Sequence, residues 1–84
     1  MNINFAINYG EIFLRNKFIP NSKLDAQILM AETINKDRKY LLLNSNKNLN
    51  HNDFIKFKKL IQKRSTGKPL AYLTNRKFFW NYEF

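Results

Sequence analysis

Few side chains in this sequence are of the types that do chemistry, and they are not gathered. His51 is the sole histidine among 84 residues, and there is no cysteine. A metal site needs several ligands converging on one point, so a lone His51 in the first turn of a helix reads as a surface residue. The six carboxylates, Glu11, Asp25, Glu32, Asp37, Asp53 and Glu83, are spread along the chain. None forms the adjacent pair that acid–base work would use, and Asp25 and Asp53 are better placed to cap helices. Ser22 and Ser65 have no base beside them to activate a nucleophile. Gly10 and Gly67 are the only glycines, too few for a loop that cradles a nucleotide. The chain is therefore expected to hold no catalytic, cofactor-binding or metal-binding residue. What remains is charge. Lys56, Lys59 and Lys63 recur at helical spacing, Lys68, Arg76 and Lys77 follow, and no acidic residue lies between Asp53 and Glu83. Such a surface can steer an acidic partner, grip phosphates, or simply face water.

The elements that carry these residues read as helices. The first is predicted over Ile3 to Asn16, with Phe5, Tyr9, Ile12 and Phe13 as its apolar face at i, i+4, i+7 and i+8. Gly10 inside it costs about 1 kcal/mol relative to Ala; simple tolerance is the preferred reading, close helix packing the other. Phe18 to Asn21 is a connector, because Pro20 disfavours helix at Ile19. Ser22 is expected to cap the second helix, with Asp25 three residues on in a near capping box. That helix continues to about Ile34. Leu24, Ile28 and Ala31 lie on one face and Leu29, Met30 and Ile34 broaden it, as suits a central helix touched on more than one side. Asp37 caps a third element, Arg38 to Leu43, too short for its period alone to separate helix from strand. After the polar loop Asn44 to Asn50, a fourth helix starts with Asn50 as N-cap and Asp53 at N3, and runs to about Thr66. It buries Phe54, Phe57, Leu60 and Ile61 and turns Lys56, Lys59 and Lys63 outward. Arg64 falls at the apolar edge. It is expected to meet Asp25 and to reach backbone carbonyls near Gly67.

The last stretch changes character twice. Gly67 and then Pro69 stop the fourth helix, and Pro69 can open a short fifth over Leu70 to Leu73. Beyond Asn75, the residues Phe78, Trp80, Tyr82 and Phe84 share one face at period two and favour a strand. A lone strand is not stable in water. The expected organisation is an all-α bundle of four main helices plus a short fifth over residues 1–77. Residues 78–84 would begin an aromatic strand leading into a further domain that is absent here.

Composition sets the outer bounds. The chain is one domain, and 44% hydrophobic residues argue for a packed core. Without cysteine there is no disulfide framework. No apolar run reaches a membrane span and no signal-peptide pattern opens the chain, so no membrane partner is expected and the cytoplasm is the expected compartment. The formal net charge of +9 would suggest nucleic acid. Yet the chain is rich in Asn, Lys, Ile and Phe together, the set that A/T-rich codons favour. Its basic residues are not interleaved with exposed aromatics, and no glycine-containing helix-turn-helix joint is present. A nucleic-acid-binding helical module stays as the rival reading.

The run Gly67-Lys68-Pro69-Leu70-Ala71-Tyr72-Leu73, followed by Arg76-Lys77-Phe78-Phe79-Trp80, resembles the end of the N-terminal domain of bacterial protein-(glutamine-N5) methyltransferases that modify peptide-chain release factors, the HemK/PrmC family. Leu24-Asp25-Ala26-Gln27-Ile28-Leu29 resembles that family's Asp-Ala-x-x-Leu-Leu helix. Asp37-Arg38 with Tyr40-Leu41-Leu42 resembles its short third helix, and so decides for helix there. Asn75 stands where the family commonly has Gly, and Phe79 where Glu is common. The Ala-Tyr-Leu-Thr-Asn run is also similar to that of the related ribosomal-protein glutamine methyltransferases. The resemblance implies a helical domain that helps dock the release factor. S-adenosylmethionine and the Asn-Pro-Pro-Tyr catalytic motif would belong to a separate C-terminal domain, whose glutamine target lies in a Gly-Gly-Gln segment. By position, Gly67, Pro69, Ala71, Tyr72, Phe78 and Trp80 match the family motif, with a structural role as the simpler reading of each.

Overall fold

The computed structural model describes residues 1–74. Helix α1 spans Ile3–Asn16, α2 Ser22–Ile34, α3 Arg38–Leu43 and α4 His51–Ser65, followed by a 3-10 turn at Leu70–Tyr72. The domain is all-α, and extended pairing among the described residues is limited to an isolated antiparallel bridge between Asn2 and Asn48. The strand expected from Phe78, the boundary after residue 77, and Arg76, Lys77 and Trp80 all lie outside the described residues.

Three helices start on side-chain caps. Asn2 Oδ1 accepts from the Phe5 amide at 2.7 Å, Asp37 Oδ1 from Tyr40 at 2.8 Å, and Asn50 Oδ1 from Asp53 at 2.7 Å. Each satisfies a donor that the first helical turn leaves without a partner, a gain of about 1 kcal/mol. α2 starts differently, and the expected Ser22 cap does not form. Ser22 is already helical, and Asn21 before it sits in the left-handed region (φ 58°) with no side-chain cap bond. Asp25 takes no part in a capping box, because its carboxylate is turned across the bundle to Arg64.

α2 is the central element. Ala26, Leu29, Met30 and Ala31 are almost wholly buried, and Asp25, Gln27, Ile28 and Thr33 are buried with them. It packs against α1, α4 and α3. Thr33 fits this interior by donating its hydroxyl to the Leu29 carbonyl at 2.7 Å.

The buried face of α1 is not the expected one. Ile3, Ala6, Ile7, Gly10 and Leu14 face the core, while Phe5 and Ile12 point outward and Tyr9 and Phe13 are partly covered. At Gly10 the smallest residue wins because α4 comes very close. A β-carbon added at Gly10 would stand 2.8 Å from both Ile61 Cδ1 and Phe57 Cζ. Gly10 is therefore a packing requirement rather than a tolerated flaw.

These contacts also set direction. Tyr9 packs against Phe54 with ring centroids 5.7 Å apart and the rings tilted by 60°, and Gly10 faces Phe57 and Ile61, so α1 and α4 run parallel. Their starts are tied together. The Ile3 amide donates to the Lys47 carbonyl, Asn4 to Ser45, and Leu49 to Met1. Their ends therefore share the opposite end of the bundle, together with the connector between α1 and α2.

Candidate functional site

At that far end, Arg64 Nε donates to Asp25 Oδ2 at 2.9 Å and Nη1 donates to the Lys68 carbonyl at 3.0 Å. The pair and the carbonyl contact are the ones the sequence places together. Asp25 is only 4% exposed. Burial pushes its carboxyl above the usual value, and the hydrogen bond and charge of Arg64 oppose that rise without cancelling it. One guanidinium thus fixes the start of α2, the end of α4 and the chain beyond it.

The chain beyond α4 turns on Gly67, whose φ of 99° glycine adopts readily and other residues rarely. Its amide donates to the Arg64 carbonyl at 2.9 Å. Nothing stands within 4 Å of where its β-carbon would lie, so backbone conformation and not space selects it. Pro69 then leads into the 3-10 turn. An open concavity forms here, lined by Lys63, Thr66, Gly67, Lys68, Pro69, Tyr72 and Leu73. Ala71 and Tyr72 are exposed.

Lys56, Lys59 and Lys63 are all exposed on α4, and Lys68 is exposed after it. Lys58 departs from the row: it is half-buried, with Nζ 5.3 Å from the centroid of the Phe54 ring. Phe57 and Ile61 are fully buried and Phe54 and Leu60 partly so. His51 is exposed, and no group of three or more His, Asp or Glu among the described residues could hold a metal ion.

Phe18 is conspicuous in the fold but not in the sequence. It follows α1 in the left-handed region (φ 61°) and is 92% exposed. Its amide donates to the Arg15 carbonyl and that of Ile19 to the Leu14 carbonyl, each at 3.0 Å. This is a Schellman closure, in which the left-handed position normally falls to glycine. Pro20 marked the end of the helix but gave no sign that Phe18 would occupy that position.

No helix among the described residues is long and apolar enough to cross a membrane. No solved structure matches the chain significantly. Among curated proteins, the chain is 40% identical over 72 residues to a release factor glutamine methyltransferase of Leptospira interrogans, covering 86% of this chain and 25% of that protein. It is 37% identical over 78 residues to a bifunctional methyltransferase of Rickettsia bellii, covering 93% and 14% respectively. A release factor glutamine methyltransferase of Francisella tularensis is 34% identical over 61 residues, covering 73% and 22%. The chain thus spans about a quarter or less of these relatives. The family model for the PrmC N-terminal domain matches residues 6–74, which takes in all four helices' cores, the Asp25–Arg64 tie and the Gly67 turn. This chain belongs to the PrmC N-terminal domain family.

Proposed function

We propose that this chain is the N-terminal domain of a release-factor glutamine methyltransferase. It helps hold the release factor while a separate domain methylates the glutamine of the Gly-Gly-Gln segment. The observation that carries this reading is the family match over residues 6–74, beside relatives with that name of which the chain spans 25% and 22%. S-adenosylmethionine, as methyl donor, is assigned to the separate domain. The described residues do not fit it: Gly10 is packed against α4 and Gly67 ends a helix, leaving no glycine for a cofactor cradle. The contribution of this chain is binding.

Its means is the exposed row Lys56, Lys59 and Lys63, continued by Lys68 and, in sequence, by Arg76 and Lys77. A row of one sign accelerates encounter with an acidic surface and does so less as salt rises. The test reverses Lys56, Lys59 and Lys63 to Glu in the full-length enzyme and follows methylation of a release factor at several salt concentrations. The expected result is a raised KM at unchanged kcat, with the difference shrinking in high salt. An unchanged KM overturns the docking role of the row. The net charge of +9 favours one rival, and an unchanged KM with lost retention on RNA would support it. Methylation of a ribosomal protein in place of a release factor would move the assignment to the related enzymes.

A further inference from the structure

The end of the bundle where α1 and α4 finish carries two large aromatic side chains that the core does not use. Phe18 is 92% exposed and Tyr72 81%. Phe18 breaks local preference twice. Its φ of 61° is one that a bulky residue adopts at a cost and that Gly or Asn adopts more easily. Its ring buries nothing in return. A residue that opposes stability on both counts marks a place where something else is served.

Its surroundings give the chemistry of what is served. Lys17 and Lys23 flank the connector, and Lys63 and Lys68 border the concavity beside Tyr72. All four are exposed, and none is in an ion pair among the described residues. The carboxylates nearest this end are already engaged, Glu11 with Arg15 at 3.9 Å and Asp25 with Arg64 at 2.9 Å. This end therefore presents free positive charge around projecting aromatic surface.

We infer that this end of the bundle docks an acidic segment of the protein substrate, with Phe18 as its apolar anchor and Lys17, Lys23, Lys63 and Lys68 as the charged rim. The inference rests on the proposed function and deepens it by naming the face and the chemistry it takes: an apolar pocket or side chain bordered by Asp and Glu. An exposed aromatic fixed by a Schellman closure, at an end of the bundle that carries unpaired lysines, is the kind of side chain that anchors a protein interface. A membrane would call for a continuous apolar helix face, and Met1 and Phe5 lie toward the opposite end. A nucleic-acid strand would call for a track of stacked aromatics.

The test replaces Phe18 with Asn, and separately with Gly, in the full-length enzyme. Both residues suit the left-handed conformation, so the variants should unfold at a temperature equal to or above that of the parent. With the release factor as substrate, KM should rise about tenfold, as for loss of an interface anchor, at a kcat within about twofold of the parent. A lowered unfolding temperature would show that Phe18 serves packing and would overturn the inference. An unchanged KM overturns it too, and if reversal of Lys56 and Lys59, which lie outside the proposed rim, still raises KM, the proposed function stands without it. A fall in kcat at constant KM assigns Phe18 to the enzyme's own catalytic domain. Loss of binding to phosphatidylserine vesicles or to RNA at constant KM assigns it to those partners. Either outcome overturns the inference. Failure of the parent enzyme to methylate any release factor defeats the proposed function first, before any variant is made, and this inference with it.

Discussion

Asp25 and Arg64 stand thirty-nine residues apart in the chain and 2.9 Å apart in the fold. The two partners are unequally placed, with side-chain exposures of 5% for Asp25 and 18% for Arg64. Removing the more exposed partner therefore does the greater harm, because it strands the more buried charge. Arg64→Ala is expected to cost about 3 kcal/mol. Asp25→Ala is expected to cost less, about 1–2 kcal/mol, since the guanidinium it frees can swing toward water. Urea unfolding of the two variants measures both. Losses below about 0.5 kcal/mol for each, the range of an ordinary surface change, would mean that the pair does not hold the two helices.

The same carboxyl sets a pH dependence. Burial lifts Asp25 above its usual 3.8 and Arg64 only partly opposes this. A folded-state value above the unfolded one means that the native fold binds the proton more tightly. The contribution of this group to stability is therefore fully present below the unfolded value and is lost as pH rises through the folded value. The difference in unfolding free energy between the parent and Asp25→Asn should accordingly decline as pH climbs from about 4. Carbon NMR titration should place the Asp25 midpoint above 3.8, and Arg64→Gln should move it higher still.

Gly10→Ala tests the approach of α1 to α4. Helix propensity alone would favour Ala by about 1 kcal/mol. The new methyl group would meet Phe57 and Ile61, both fully buried, at 2.8 Å. Overpacking a closed interior costs about 1–3 kcal/mol, so a net loss is expected in thermal unfolding. A gain would show that the two side chains move aside freely.

Gly67→Ala isolates backbone conformation, since no atom crowds that position. The substitution should cost about 1 kcal/mol through the left-handed φ, and Gly67→Asn should cost less. Equal losses for both would point to crowding instead.

What was legible in the sequence was mostly local. Asp37 and Asn50 announce their helices because a short polar side chain three residues before a free amide is a chemical signal that needs no partner. Gly67 and Pro69 punctuate in the same way, and the breadth of apolar residues from Leu24 to Ile34 reveals a helix covered on several sides. The buried face of α1 does not follow from side-chain size. Phe5 and Ile12 are the more hydrophobic yet stay exposed, while the close approach of α4 selects Gly10, and that approach is a property of two helices together. Ser22 has the chemistry of a cap, yet Asn21 carries the turn and Asp25 is drawn away by Arg64. Within the candidate site, the lysine row and the Asp25–Arg64 tie were readable from helical spacing. Phe18 was not, since nothing in its identity points to a left-handed backbone.

The filling of the groove at Gly10 by Phe57 and Ile61 has a consequence for the order in which the molecule is made. A nascent chain emerges from its N-terminus, so the hairpin of α1 and α2 is available early. Its interior surface stays uncovered until the second half of α4 has been synthesised, and Asp25 waits buried-side-out until Arg64 arrives. The described bundle is thus locked by α4. A nascent chain on which α4 has not yet emerged from the ribosome should be sensitive to protease and should draw chaperones, and one extended far enough for Arg64 to emerge should resist both.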